Sequence, residues 1–133
     1  MTLRELSQLY YLKREIEMDR RRLEELTAKA ENLSGGRLSG RPRSRSVESK
    51  LERYAAEMVD LAAIISAKQR RCLRERNRLE RYISGIGDSR TRMIFTLRFV
   101  SGLSWRQVAA YMGGGNTDNN VCQACHRYLR EKK

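Results

Sequence analysis

A chain of 133 residues with only 2 Phe, 1 Trp and 6 Tyr, 33% of it charged, cannot assemble the large apolar core on which most enzyme scaffolds depend. Lys and Arg outnumber Asp and Glu by 28 to 16, a formal +12 that points to a polyanionic partner, nucleic acid before a membrane surface. A single Pro and nine clustered Gly leave long stretches free to be helical, so the expected class is all-α.

Residues 1–34 predict a long helix. No Gly or Pro interrupts the run from Leu3 to Leu33, and Leu9, Leu12, Ile16, Asp19, Leu23, Leu26, Ala30 and Leu33 fall on the a and d positions of a heptad. Arg14, Glu17, Arg20, Arg21, Arg22, Glu24 and Glu25 between them form a solvated mixed-sign face. Residues 35–46 read as a basic flexible linker, combining Gly35, Gly36, Gly40 and Pro42 with Arg37, Arg41, Arg43 and Arg45. Those arginines could touch phosphates or simply keep the linker soluble.

Residues 47–87 predict a second long helix, with Val47, Leu51, Tyr54, Met58, Leu61, Ile65, Cys72, Leu79, Tyr82 and Ile86 in one heptad frame and Lys68 and Glu75 as polar interruptions. The simplest arrangement is a long N-terminal helical hairpin of coiled-coil type, closed either within the chain or between two chains. Tyr10, Tyr11, Met18 and Ile64 widen the apolar stripes beyond what two helices need. That favours a homodimer through residues 1–87, with four long helices in a bundle.

No stretch reaches the 18 or so apolar residues of a membrane span, and charges run through the N-terminal segment where a signal peptide would be apolar. The expected location is therefore the cytoplasm, with no membrane partner and with the three Cys left as free thiols. The charge is unevenly spread. Residues 1–34 are neutral, 35–46 carry +4, 47–87 carry +3 and 88–133 carry +5.

Residues 88–133 predict three short helices. Ser84-Gly85-Ile86-Gly87 breaks the second long helix, Asp88 makes a good N-cap for Ser89 to Ser101, and Gly102 closes that helix. Ser104 with Gln107 forms a capping box for a helix reaching about Met112. Gly113 to Asn116 is a turn, and Thr117 or Asn116 caps a last helix through Val121, Cys125, Tyr128 and Leu129. Val108, Ala109 and Met112 would face Val121, Cys125 and Leu129, with Ile94, Leu97 and Val100 completing a small core. Two helices joined by a Gly-containing turn on a basic segment have the layout of a helix-turn-helix DNA-binding domain. Its last helix would turn Asn119, Asn120, Gln123, Arg127 and Arg130 outward, side chains able to bond base edges or phosphates.

The string Asp88-Ser-Arg-Thr-Arg, then Leu97-Arg-Phe-Val-Ser-Gly-Leu-Ser-Trp-Arg-Gln-Val-Ala, then Met112-Gly and Val121 to Tyr128-Leu129-Arg130 resembles region 4 of sigma-70-type factors. The whole plan is similar to small phage and mobile-element transcriptional regulators of Gram-positive bacteria, including late-gene activators. The match is specific over about residues 86–131 and rests on general layout before that. The resemblance implies promoter recognition on double-stranded DNA, contact with RNA polymerase, the helix Asp118 to Leu129 in the major groove, and Arg106 and Gln107 near the DNA backbone, with Thr117 also among the DNA-binding residues. Two departures stand out. The turn from Gly113 to Asn120 is about two residues longer than the family's, with Gly114 where an apolar residue packs, and Cys122 and Ala124 replace residues that are commonly basic.

Cys122-Gln-Ala-Cys125-His126 spells the attachment string of a c-type haem, and its spacing also suits two or three zinc ligands on one helical face. Its place in the last helix favours a plain core Cys125 beside an exposed His126, with no metal and no cofactor. Gly113-Gly114-Gly115 lacks the strand and the Gly-Lys-Ser/Thr string of a phosphate loop, and Trp105 is expected to be partly buried. One His and no paired carboxylates in the C-terminal segment leave no catalytic constellation, so no enzyme is expected. Two alternatives remain: a DNA-packaging protein like a phage small terminase subunit, and an interaction module that binds RNA polymerase or a sigma factor without touching DNA.

Overall fold

In the computed structural model, residues 1–35 and 45–132 are described, and every regular element among them is helical. A short α1 (Leu3–Leu6) leads directly into α2 (Gln8–Gly35), α3 covers Arg45–Ser84, and α4 (Ser89–Phe95), α5 (Trp105–Met112) and α6 (Asp118–Glu131) follow. Gly35 closes α2 and Arg45 opens α3, two residues earlier than expected, while residues 36–44 of the expected linker, Arg37, Arg41 and Arg43 among them, lie outside the described residues. No helix among the described residues is long and apolar enough to cross a membrane.

The heptad positions behave as their spacing predicts. Every a and d residue from Leu9 to Leu33 on α2, and from Val47 to Tyr82 on α3, is buried or half-buried. The chain divides into two compact units, one of residues 14–70 and one of residues 1–13 with 71–133. In the first, Ile16, Leu26, Leu61 and Ile65 are at most 8% exposed, so the two stripes bury one another within a single chain. Asp19 meets Lys68 while Leu26 lies beside Glu57 and Leu61, so the helices are antiparallel. Two of the three polar residues at heptad positions find each other: Lys68 Nζ donates to Asp19 Oδ2 at 2.7 Å and pairs with Glu15 Oε2 at 3.2 Å. The hydrogen bond to Asp19 holds the lysine pKa above its ordinary value. A lone polar pair in an apolar stripe fixes the register, because any slip leaves both charges against hydrocarbon.

The second unit runs across the expected boundary at residue 88 and takes in both ends of the chain. Leu6, Leu9, Leu79, Ile83 and Ile86 join Ile94, Phe95, Leu97, Phe99, Val100, Val108, Ala109, Val121 and Cys125 in one apolar cluster. The small C-terminal helices alone could not enclose Phe95, which touches Phe99 and Tyr128 edge to face at 5.4 Å and lies by Tyr82. The start of the N-terminal helix and the end of α3 supply the missing walls. Each fully buried Leu, Ile or Phe contributes about 1.5–3 kcal/mol, a large share for a unit of this size.

The caps form as the sequence predicts. Asp88 accepts from the Thr91 hydroxyl at 2.7 Å and its amide at 3.0 Å, which holds the aspartate pKa below its ordinary value. Gly102 has φ +74° and Gly113 φ +68°, left-handed conformations suited to glycine at helix ends. The expected single helix from Ser89 to Ser101 changes form midway: α4 ends at Phe95 and Thr96–Val100 makes a π-helical turn. The wider turn brings Leu97, Phe99 and Val100 all inward, an apolar arc broader than a 3.6-residue period presents.

Candidate nucleic-acid interface

Helix α6 is amphipathic. Val121 and Cys125 are fully buried against the cluster, and Asn119, Gln123, His126, Arg127 and Arg130 are exposed on the other face. Met112 and Leu129 are only partly buried at the edge of the core. Residues 1–13 with 71–133 hold 15 Lys and Arg against 6 Asp and Glu, so this unit carries +9 of the chain's +12.

The eight residues expected to meet DNA divide into two groups. Arg106, Asn119, Gln123, Arg127 and Arg130 are exposed, with donor groups free to bond base edges or phosphates. Gln107, Thr117 and Asn120 are engaged in capping. Ser104 N–H donates to Gln107 Oε1 at 2.9 Å, which leaves only the amide nitrogen of Gln107 for another partner. Thr117 Oγ1 accepts from Asn120 N–H at 3.1 Å, and Asn120 Oδ1 accepts from Thr117 N–H at 3.0 Å in return. Asn120 Nδ2 donates to Gly115 O at 3.0 Å, so both ends of this amide serve the turn. A side chain at the third position of a helix folds back onto the cap, and Asn120 does so with both its backbone and its side-chain amide.

Sequence reasoning gave Arg90 no role. Its Nε and Nη2 donate to Asn116 Oδ1 at 3.1 and 3.0 Å, and Nη2 reaches Asn120 Oδ1 at 3.4 Å. Asn116 in turn donates to Gly113 O at 2.7 Å. One arginine of α4 thus holds the α5–α6 turn and the start of α6 together. Asn116 and Asn120 lie 26 and 30 residues away, so no local pattern announces the clamp. Arg98 also escaped notice: it donates to Leu103 O at 2.9 Å and stacks 4.6 Å above the half-buried Trp105 ring, whose edge faces His126.

The Cys-x-x-Cys-His string is not brought to one point. Cys125 is sealed in the core, where burial pushes its thiol up to about 12, whereas Cys122 Sγ lies 4.0 Å from the exposed His126 Nε2. No group of three or more His, Cys, Asp or Glu among the described residues is placed to hold a metal ion. Beside α6, Met1, Thr2 and Leu3 form one wall of a groove of about 630 Å³ whose other wall is Gln123, His126, Arg127, Leu129 and Arg130. No acidic residue lines it. On α4 and α5, Met93 and Tyr111 are exposed beside Ile83 and Leu97, an apolar surface to which α6 contributes nothing. No family model, no curated protein and no solved structure matches this chain.

Proposed function

We propose that this protein is a DNA-binding transcription regulator of sigma-factor-like type, with α5 and α6 as the two helices of a helix-turn-helix and α6 entering the major groove. The observation that carries the reading is the exposed face of α6. A helix pinned to the core by Val121 and Cys125 and capped at Thr117 turns Asn119, Gln123, Arg127 and Arg130 outward, on the more basic of the two units. Gln123 has the amide suited to a base edge, and Arg127 and Arg130 the guanidinium suited to phosphate or guanine.

In this reading two copies associate through residues 1–87 and present two α6 helices to a repeated or palindromic site. The heptad stripes are already buried within one chain, so such a dimer would use outward residues such as Met18, Val59 and Ile64, which are 67%, 69% and 46% exposed. Gel-shift titration against promoter fragments and random duplex at physiological salt tests the function. Preference for a promoter fragment is the expected result, and equal affinity for random DNA refutes specific recognition. Gln123→Ala should cost about 1–3 kcal/mol on the preferred site alone. Arg130→Ala should weaken all sequences alike.

A second reading draws on the exposed Met93 and Tyr111: a module that docks on RNA polymerase or a sigma factor through that surface. Unchanged promoter binding by Tyr111→Ser together with lost polymerase capture would favour it as an added activity. Capture without any DNA binding would make it the main one.

A further inference from the structure

We infer that the C-terminal part of α3 is a second nucleic-acid contact surface, a stripe of arginines that grips the phosphate backbone independently of α6. Arg71, Arg74, Arg78 and Arg81 recur at spacings of three, four and three, which at 100° per residue places them on one arc of about 80° on the solvent side of the helix. They extend over about 15 Å of helix axis. The acids of this stretch, Glu75 and Glu80, lie outside the arc, and among the described residues Arg78 alone of its four arginines is ion-paired. Glu80 holds Arg76 at 3.1 Å, and Glu5 and Glu75 hold Arg78 at 3.3 and 3.8 Å. Arg71, Arg74 and Arg81 are exposed, and none of their guanidinium groups has a hydrogen bond or ion pair with another described residue.

Like charges three and four residues apart repel along a helix face. In the free protein no ion pair on α3 neutralises the guanidinium groups of Arg71, Arg74 and Arg81. A duplex, with about one negative charge per 1.7 Å of axis, would relieve all three at once and release counterions in doing so. The residue type fits the partner. Every cation from Arg71 to Arg106 is Arg, whose planar fork bonds phosphate oxygens in pairs, and the charge does not depend on pH. The inference rests on the reading of the chain as DNA-binding but not on the pose of α6.

The test is the salt dependence of binding to a random fluorescent duplex, measured on the full chain carrying R71Q, R74Q and R81Q together. The control carries R20Q, R21Q and R22Q, an equal charge change on exposed α2 residues, and circular dichroism verifies that both variants fold. Loss of three phosphate contacts should flatten the slope of log K against log salt by about two to three units, with the control slope unchanged. An unchanged slope in the α3 variant overturns the proposal, and so does equal flattening in the control, which would reduce the effect to net charge. If instead the α3 variant keeps its DNA slope and loses binding to polyglutamate, the stripe serves an acidic protein and the proposal is also overturned. Weakened binding in R127A/R130A beside an unchanged α3 slope refutes the stripe alone, and the reverse pattern refutes the α6 reading alone.

Discussion

Replacing Arg90 with Ala removes a side chain that joins α4 to the turn before α6. Two of its hydrogen bonds, at 3.1 and 3.0 Å to Asn116, are well formed, and the third, at 3.4 Å to Asn120, is long. A net hydrogen bond is worth about 0.5–1.5 kcal/mol, and a charged donor raises this while the exposure of Arg90 lowers it. The expected loss is about 1–2 kcal/mol of unfolding free energy by urea titration. Arg90→Lys should recover less than half, because an ammonium cannot reproduce the fork that spans two asparagines. Asn116→Ala costs more than the shared bonds alone, since it also removes the 2.7 Å bond to Gly113 O. The cycle of Arg90→Ala, Asn116→Ala and the double variant should therefore show a coupling of about 1 kcal/mol. Coupling below about 0.3 kcal/mol, or a Lys variant as stable as the native protein, would refute the clamp. On DNA the two roles separate as well: a positioning Arg90 leaves the salt slope unchanged in Arg90→Ala, whereas a phosphate contact would flatten it by about one unit and Lys would restore it.

Ile16→Asp, at a site 6% exposed in the interface of α2 and α3, should destabilise the helical pair by about 3–5 kcal/mol and lower helicity at 222 nm, instead of merely separating folded monomers. A folded, fully helical monomer would show that the two stripes do not depend on each other. The Asp88 carboxylate, held below its ordinary 3.8 by the Thr91 hydroxyl and amide, stabilises α4 above that pH, and the contribution fades as pH falls through its lowered value. Asp88→Asn should show a shallower loss of stability than the native protein between about pH 4 and 2, and parallel curves would count against the cap. Cys125, fully buried with its thiol pushed up to about 12, should resist iodoacetamide at pH 8 in the folded protein and react once urea unfolds it. Labelling of Cys125 as fast as Cys122 in native conditions would mean that α6 is not docked as described.

Short-range features were legible in the sequence because their physics closes within a few residues. Asp88, Ser104 and Thr117 cap helices through bonds to residues three positions on, and Gly102 ends a helix through its own φ, so a linear reading finds them. Heptad spacing likewise marked which side of α2 and α3 would be buried, and marked Asp19 and Lys68 as polar interruptions. That these two meet at 2.7 Å within one chain depended on the antiparallel register, a relation between residues 49 apart that no helical period encodes. The enlarged core was hidden for the same reason. Leu9 read as a coiled-coil position, yet together with Leu6 it joins the cluster around Phe95, which residues distant in sequence complete. The capping contacts of Asn120 and the clamp made by Arg90 follow from the same principle. A polar side chain near the start of a helix satisfies the nearest unpaired backbone groups first, and only the packed positions of α4 and α6 decide which arginine completes the network.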